Sequence, residues 1–315
     1  MASSKGPTST NKDFSGIWDR EDKNETFDKV AASLSEPLPE KGGARRVKPW
    51  GLKSVVGNLL ILLITQVALS IALLASIDSL AGADPDKLTA DLLSSPWVLI
   101  GSSLSMYVVW IGGMLVTTHF KGQKSLKKDF WVSFKRFDVL IGLGVAALLF
   151  GFVLGFQWLL GDVLGLDMTG ADNSGSFSSL EGAWFFIIAI GIASFLGPLS
   201  EELFFRGYLM QAIAKSIRNR LAKVHAEVDE GLGLKIAIWL NKYQYVIAAI
   251  FSSIVFGFMH FQGAETFGQW SVVIITGTLG LVFAVLTIKL RRLGPAIFGH
   301  MFYNGATLLI GYFLQ

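Results

Sequence analysis

Residues 183–212 read AWFFIIAIGIASFLGPLSEELFFRGYLMQA, an apolar run that carries Glu201, Glu202 and Arg206 inside it. A bilayer core needs about 20 apolar residues per helix, so this stretch is long enough to span one. Charges within a span cost about 2.5–3.5 kcal/mol each even on lenient insertion scales, and they mark functional positions. Six further windows of similar length and character lie at 54–77, 96–118, 138–160, 243–261, 270–289 and 294–314. The runs are continuous, whereas membrane β-strands come as alternating segments of about ten residues. The expected fold class is therefore all-α, a polytopic transmembrane helical bundle of about seven spans.

Composition agrees: 52% of the chain is hydrophobic and 16% is charged, unlike a soluble globular domain. There is no cysteine, which excludes thiolate metal sites, cysteine nucleophiles and lipidation on cysteine. Residues 1–50 are polar and rich in Ser, Lys, Glu, Asp, Pro and Gly, and read as a disordered cytoplasmic tail. Residues 51–182 then hold three N-terminal spans and 183–315 a four-span core.

Basic residues crowd the tail end (Arg45, Arg46, Lys48), the connection with Lys121, Lys124, Lys127 and Lys128, the 215–242 segment, and Lys289 to Arg292; acidic residues occupy the alternate loops. By the positive-inside rule the N-terminus is cytoplasmic and the C-terminus outside. This alternation is a topology signal and not a nucleic-acid one. Gly151 and Gly155 form a GxxxG in the third span, read as a packing contact inside the bundle.

The intramembrane polar residues fall on three spans: Glu201, Glu202 and Arg206 on the fourth, His260 at the end of the fifth, His300 and Asn304 on the seventh. Successive helical residues turn by about 100°, so Glu202 and Arg206, four apart, are nearly eclipsed. That order favours an intrahelical ion pair. Glu201 stands about 140° from Arg206 on the same wheel and is left to face a cavity as an unpaired carboxylate suited to a general base. His300 and Asn304 project from one face of the last helix, an imidazole and a carboxamide that can hold an oxyanion or help bind a metal.

Glu201-Glu202-Leu203-Phe204-Phe205-Arg206 resembles the EExxxR motif, Phe256 to His260 an FxxxH motif and His300 to Asn304 an HxxxN motif. In this order on separate helices they resemble the CAAX protease and bacteriocin-processing family of intramembrane endopeptidases. The resemblance implies that Glu201 with His260 activates the attacking water, that His300 and Asn304 stabilise the tetrahedral oxyanion, and that Glu202 and Arg206 support Glu201. It also implies a peptide or membrane-protein substrate, with the lipid bilayer as the other partner and no nucleic acid. The family is commonly described as metalloprotease. Glu201, His260 and His300 would be the ligands of a divalent metal such as zinc, while a glutamate-activated water without metal is the alternative.

Two other functions use the same features. A catalytically inactive membrane scaffold or regulator keeps the bundle without chemistry, and a proton-coupled transporter uses buried acids and histidines as relays. A bacterial plasma membrane is the location the compact form suggests. Depth leaves one strain: counted from Tyr243, His260 lies about 25 Å from the cytoplasmic face. An earlier start of the fifth helix, within 234–248, with 261–269 lining a wet cavity in the outer half, relieves it.

Overall fold

In the computed structural model the residues described are 50–78, 95–171, 180, 182–227 and 232–314. Apart from Trp50, the expected tail lies outside them. Seven long helices appear among them, one for each apolar window: α1 (Leu52–Asp78), α2 (Pro96–Phe120), α4 (Asp138–Trp158, prolonged by a wide turn over Leu159–Val163), α5 (Gly182–Glu227), α6 (Leu232–Phe258), α7 (Phe267–Leu290) and α8 (Gly294–Phe313). A short α3 (Leu126–Phe130) sits in the basic connection between α2 and α4. Five stretches are long and apolar enough to cross a membrane: Leu52–Ala72, Pro96–Phe120, Asp138–Val163, Gly182–Leu221 and Phe267–Leu290. The remaining two windows fall on α6 and α8, the helices that lead to His260 and carry His300.

The outside of the bundle is apolar. Leu60, Ile61, Leu63, Ile64, Leu140, Leu143 and Leu148 are all exposed, as lipid-facing side chains are where there is no water to avoid. Trp50, the last residue of the expected tail, is instead buried against Phe130 and Tyr208 and donates its indole N–H to Asp129.

Helix approach is set by glycine pairs, though not by the expected one. A β-carbon on Gly142 of α4 would come within 2.7 Å of the Gly299 nitrogen on α8, and one on Gly257 of α6 within 2.6 Å of the Val273 carbonyl on α7. Gly151 and Gly155 are exposed and nothing among the described residues lies within 4 Å of a β-carbon at either. The GxxxG faces outward, a correction to its reading as internal packing: the spacing identifies a smooth helix face but not its direction.

At the basic end, α4 is tied to the turn between α7 and α8 by Arg292 Nε donating to Asp138 Oδ1 at 2.8 Å, with Asp138 wholly buried in the first turn of α4. There the carboxylate also meets the positive end of the helix dipole. At the other end a capping box of Thr266 and Gln269 starts α7. Thr266 Oγ1 donates to the Thr169 carbonyl and Gly268 N–H to that of Asp167, pinning the segment after α4 onto α7.

α5 departs from a regular α-helix. Phe185–Leu196 and Leu203–Leu209 are wound in wide π-type turns on either side of the α-helical Gly197–Glu202. Such turns concentrate at functional sites, and here they bracket the two glutamates.

Candidate active site

Glu202 is wholly buried, and its Oε1 lies 3.0 Å from Nη1 of Arg206, itself 1% exposed. The ion pair read from the helical wheel is thus formed even though the following turn is wide. The guanidinium sits 4.3 Å from the Phe256 ring centre, with Phe205 and Phe283 nearby. A desolvated cation over an aromatic face gains about 2 kcal/mol, which helps hold Arg206 at this depth. On α7 a β-carbon at Gly280 would fall 2.8 Å from Arg206 Nη2, so the glycine provides the space the guanidinium occupies.

The same Oε1 of Glu202 accepts from Nδ1 of His300 at 3.0 Å. His300 is buried, stacked on Phe283 and met edge-on by Phe256. Its ring is therefore fixed in plane and azimuth, and Nε2 points at Glu201, 3.8 Å from Oε2. That is beyond a direct hydrogen bond. Glu201 Oε2 is buried with no hydrogen-bond partner among the described residues, as the wheel argument required.

Asn304 lies one turn beyond His300 and its Nδ2 donates to the Ala193 carbonyl at 3.2 Å. In a π-type turn that carbonyl would accept from the N–H five residues on, but the residue there is Pro198, which has none; Gly197 N–H goes to Ile192 instead. The proline thus frees the acceptor that orients Asn304.

His260 stands just past the end of α6. Its backbone N–H bonds to Gly257, and its Nδ1 donates to the Phe256 carbonyl at 2.9 Å. A carbonyl only accepts, so Nδ1 carries a proton and Nε2 is the ring nitrogen left for another partner. α6 begins at Leu232 and runs 27 residues, about 40 Å at 1.5 Å per residue. The helix thus starts earlier than the 234–248 expected from sequence.

His260, His300 and Asn304 line one cavity of about 340 Å³, with Phe150, Gln157 and Tyr303 among its other walls. The cavity expected along residues 261–269 is not the one found: α4, α7 and α8 wall this one, and residues 261–269 do not line it. Glu201 lies outside the lining and meets the cavity through His300. His300, not His260, is the basic side chain within 4 Å of Glu201 among the described residues.

Sequence reasoning missed Tyr107. A β-carbon on Gly197 would lie 3.0 Å from the Tyr107 hydroxyl and 3.8 Å from Glu201 Oε1. A buried tyrosine of α2 therefore converges on the unpaired glutamate across a glycine. No motif announces it, because the contact joins residues far apart in the chain.

A metal ion held by Glu201, His260 and His300 would need these donors gathered about one point. Donation of His300 Nδ1 to a carboxylate is the arrangement of many metal-bound histidines. Yet no group of three His, Asp or Glu side chains among the described residues is spaced to hold an ion. The donor set does not fit a metal in this arrangement.

Residues 183–306 match the model of the Rce1-like family, type II CAAX prenyl endopeptidases. No curated protein and no solved structure matches the chain. The match holds all six site residues and leaves α1 to α4 outside. Residues 183–306, from α5 into α8, are thus an Rce1-like domain of the CAAX protease type, and the likeness is to that part of the chain.

Proposed function

We propose that the chain hydrolyses a peptide bond within the membrane by means of a water activated at Glu201. The observation that carries this reading is the linked series Arg206, Glu202, His300, Glu201, in which a paired carboxylate fixes a histidine that lines the cavity, and the histidine faces an unpaired carboxylate behind it. A water hydrogen-bonded to Glu201 loses a proton to that carboxylate as its oxygen adds to the peptide carbonyl carbon. His260, with Nε2 as acceptor, orients the water from the opposite wall. His300 Nε2–H and the second amide hydrogen of Asn304 receive the oxyanion; the ring then carries protons on both nitrogens, with Nδ1–H on Glu202. Collapse of the intermediate breaks the C–N bond, and Glu201 returns its proton to the leaving amine. Tyr107 lies on the same side of Gly197 as Glu201.

The basic loops support a cytoplasmic N-terminus. Quantitative comparison of membrane peptides in cells carrying the wild type or Glu201→Ala tests the reading. A peptide that accumulates only with the variant names the substrate; identical peptide populations contradict the enzyme and favour an inactive scaffold. Cleavage that survives chelation supports the glutamate route, and cleavage lost on chelation and restored by zinc contradicts it.

A further inference from the structure

Trp50 precedes the first helix and belongs to no span, yet it is 3% exposed. Its seat is built from several elements. The Phe130 ring of α3 lies 4.8 Å from the indole and the Tyr208 ring of α5 5.7 Å, both tilted to it. The Lys215 ammonium stands over the indole, 3.4 Å from its centre, and the indole N–H donates to Asp129 Oδ1 at 3.1 Å. Asp129 is itself 2% exposed and accepts from the Gln123 N–H and the Thr118 hydroxyl. The neighbouring backbone is fastened as well, with Leu52 N–H donating to Ser216 Oγ of α5. An indole that meets two aromatic rings, a cation and an acceptor is held more firmly than burial alone would hold it.

Tyr208 lies in the wide turn Leu203–Leu209, which also carries Arg206. Residues two apart on a helix project on roughly opposite faces. Arg206 reaches Glu202, the Phe256 ring and the space left by Gly280. Tyr208 meets Trp50, and its hydroxyl lies 2.6 Å from that of Thr117 on α2. The turn is thus gripped from both sides, with Trp50 against one face and the site on the other. Turns of this width are rare, so this one persists because contacts on both faces hold it. Its side chains are packed without slack, since Phe204, Phe205, Arg206 and Tyr208 are each 0–2% exposed, and close-packed interiors transmit strain.

We propose that Trp50 is a positioning residue for the site. Seated, it holds the wide turn so that Arg206 keeps Glu202 on His300; unseated, it lets the turn shift, and the His300 ring loses its fixed partner. Trp50 lies outside residues 183–306, so this support comes to the matched domain from the segment before α1. The proposal rests on the hydrolytic reading above for its effect on cleavage, but not for its effect on His300.

The test uses the full-length protein in lipid nanodiscs, labelled with nitrogen-15 histidine, with the His300 signals identified by their loss in His300→Gln. Trp50→Gly empties the seat and free indole refills it. The expected result is a shift of the His300 ring-nitrogen signals in Trp50→Gly, reversed by saturating indole, and none in Trp158→Gly, which removes an exposed ring. His300 signals that stay in place in Trp50→Gly, that move equally in Trp158→Gly, or that move and are not restored by indole overturn the proposal. Trp50→Phe keeps a ring and loses the N–H to Asp129; it gives a smaller shift, and decides the matter where Trp50→Gly does not fold, no shift then overturning the proposal. Cleavage of the membrane peptide that accumulates with Glu201→Ala is read on the same samples. Its kcat falls about tenfold in Trp50→Gly, with KM held, and recovers with indole; an unchanged kcat overturns the proposal. If the wild type processes no membrane peptide, the hydrolytic reading fails and the His300 signals alone decide.

Discussion

At the residue scale the site separates into groups that act and groups that hold them. Glu201 is the carboxylate left over once Glu202 is committed to both Arg206 and His300. Glu201→Gln keeps the shape and removes the base, so cleavage falls by about 10²–10⁴-fold, the span typical of general base catalysis, with an unchanged melting temperature. Asn304→Ala removes one oxyanion donor and lowers kcat by about 10²–10³-fold. Glu202→Ala acts differently. It leaves the Arg206 charge buried and alone, a loss of about 3–5 kcal/mol, so the purified protein melts at a lower temperature and loses activity together with stability. If Glu201→Gln melts early while Glu202→Ala does not, the two glutamates have exchanged roles. The sequence order of an acid four residues before an arginine made this division legible in advance, since helical geometry alone pairs 202 with 206. The contact of Glu201 with His300, and Tyr107 at its side, was not legible: both depend on which helices meet.

At the element scale the wide turns of α5 and the glycine contacts position these side chains. Pro198 removes the N–H that would otherwise compete for the Ala193 carbonyl, and Asn304 takes its place. Pro198→Ala restores a donor, so activity falls while helix content by circular dichroism is kept or rises. A loss of helix in this variant contradicts the assignment. Gly280→Ala presses on Arg206 and reduces activity although position 280 touches no substrate; Gly280→Ser, larger still, reduces it further, and activity unchanged in both shows that Arg206 has room to move. These features were hidden from the sequence for a physical reason. The period of an apolar helix tells which residues share a face, but in lipid both faces are apolar, so the pattern does not say which one is inward. Gly151 and Gly155 misled in this way, whereas Gly142, Gly257 and Gly280, with no motif to mark them, make the close contacts.

At the scale of the whole molecule, span length is the legible quantity because bilayer thickness fixes it, and every long apolar window of the sequence is a helix among the described residues. The three motifs of α5 to α8 gave the likeness that the family match over residues 183–306 bears out, and the six candidate site residues lie within it. The contribution of α1 to α4 was left as general membrane character, yet α2 brings Tyr107 to Glu201 and α4 supplies a wall of the cavity. The domain matched by the family is therefore incomplete as a site without the helices that precede it.

The central claim, hydrolysis by a Glu201-activated water, is tested most directly by cleaving a membrane peptide with the reconstituted protein in water enriched in oxygen-18. Mass spectrometry of the new C-terminal carboxylate should show one heavy oxygen per cleavage event with the wild type, and no cleavage above background with Glu201→Gln. A labelled product formed at the same rate by Glu201→Gln would contradict the account.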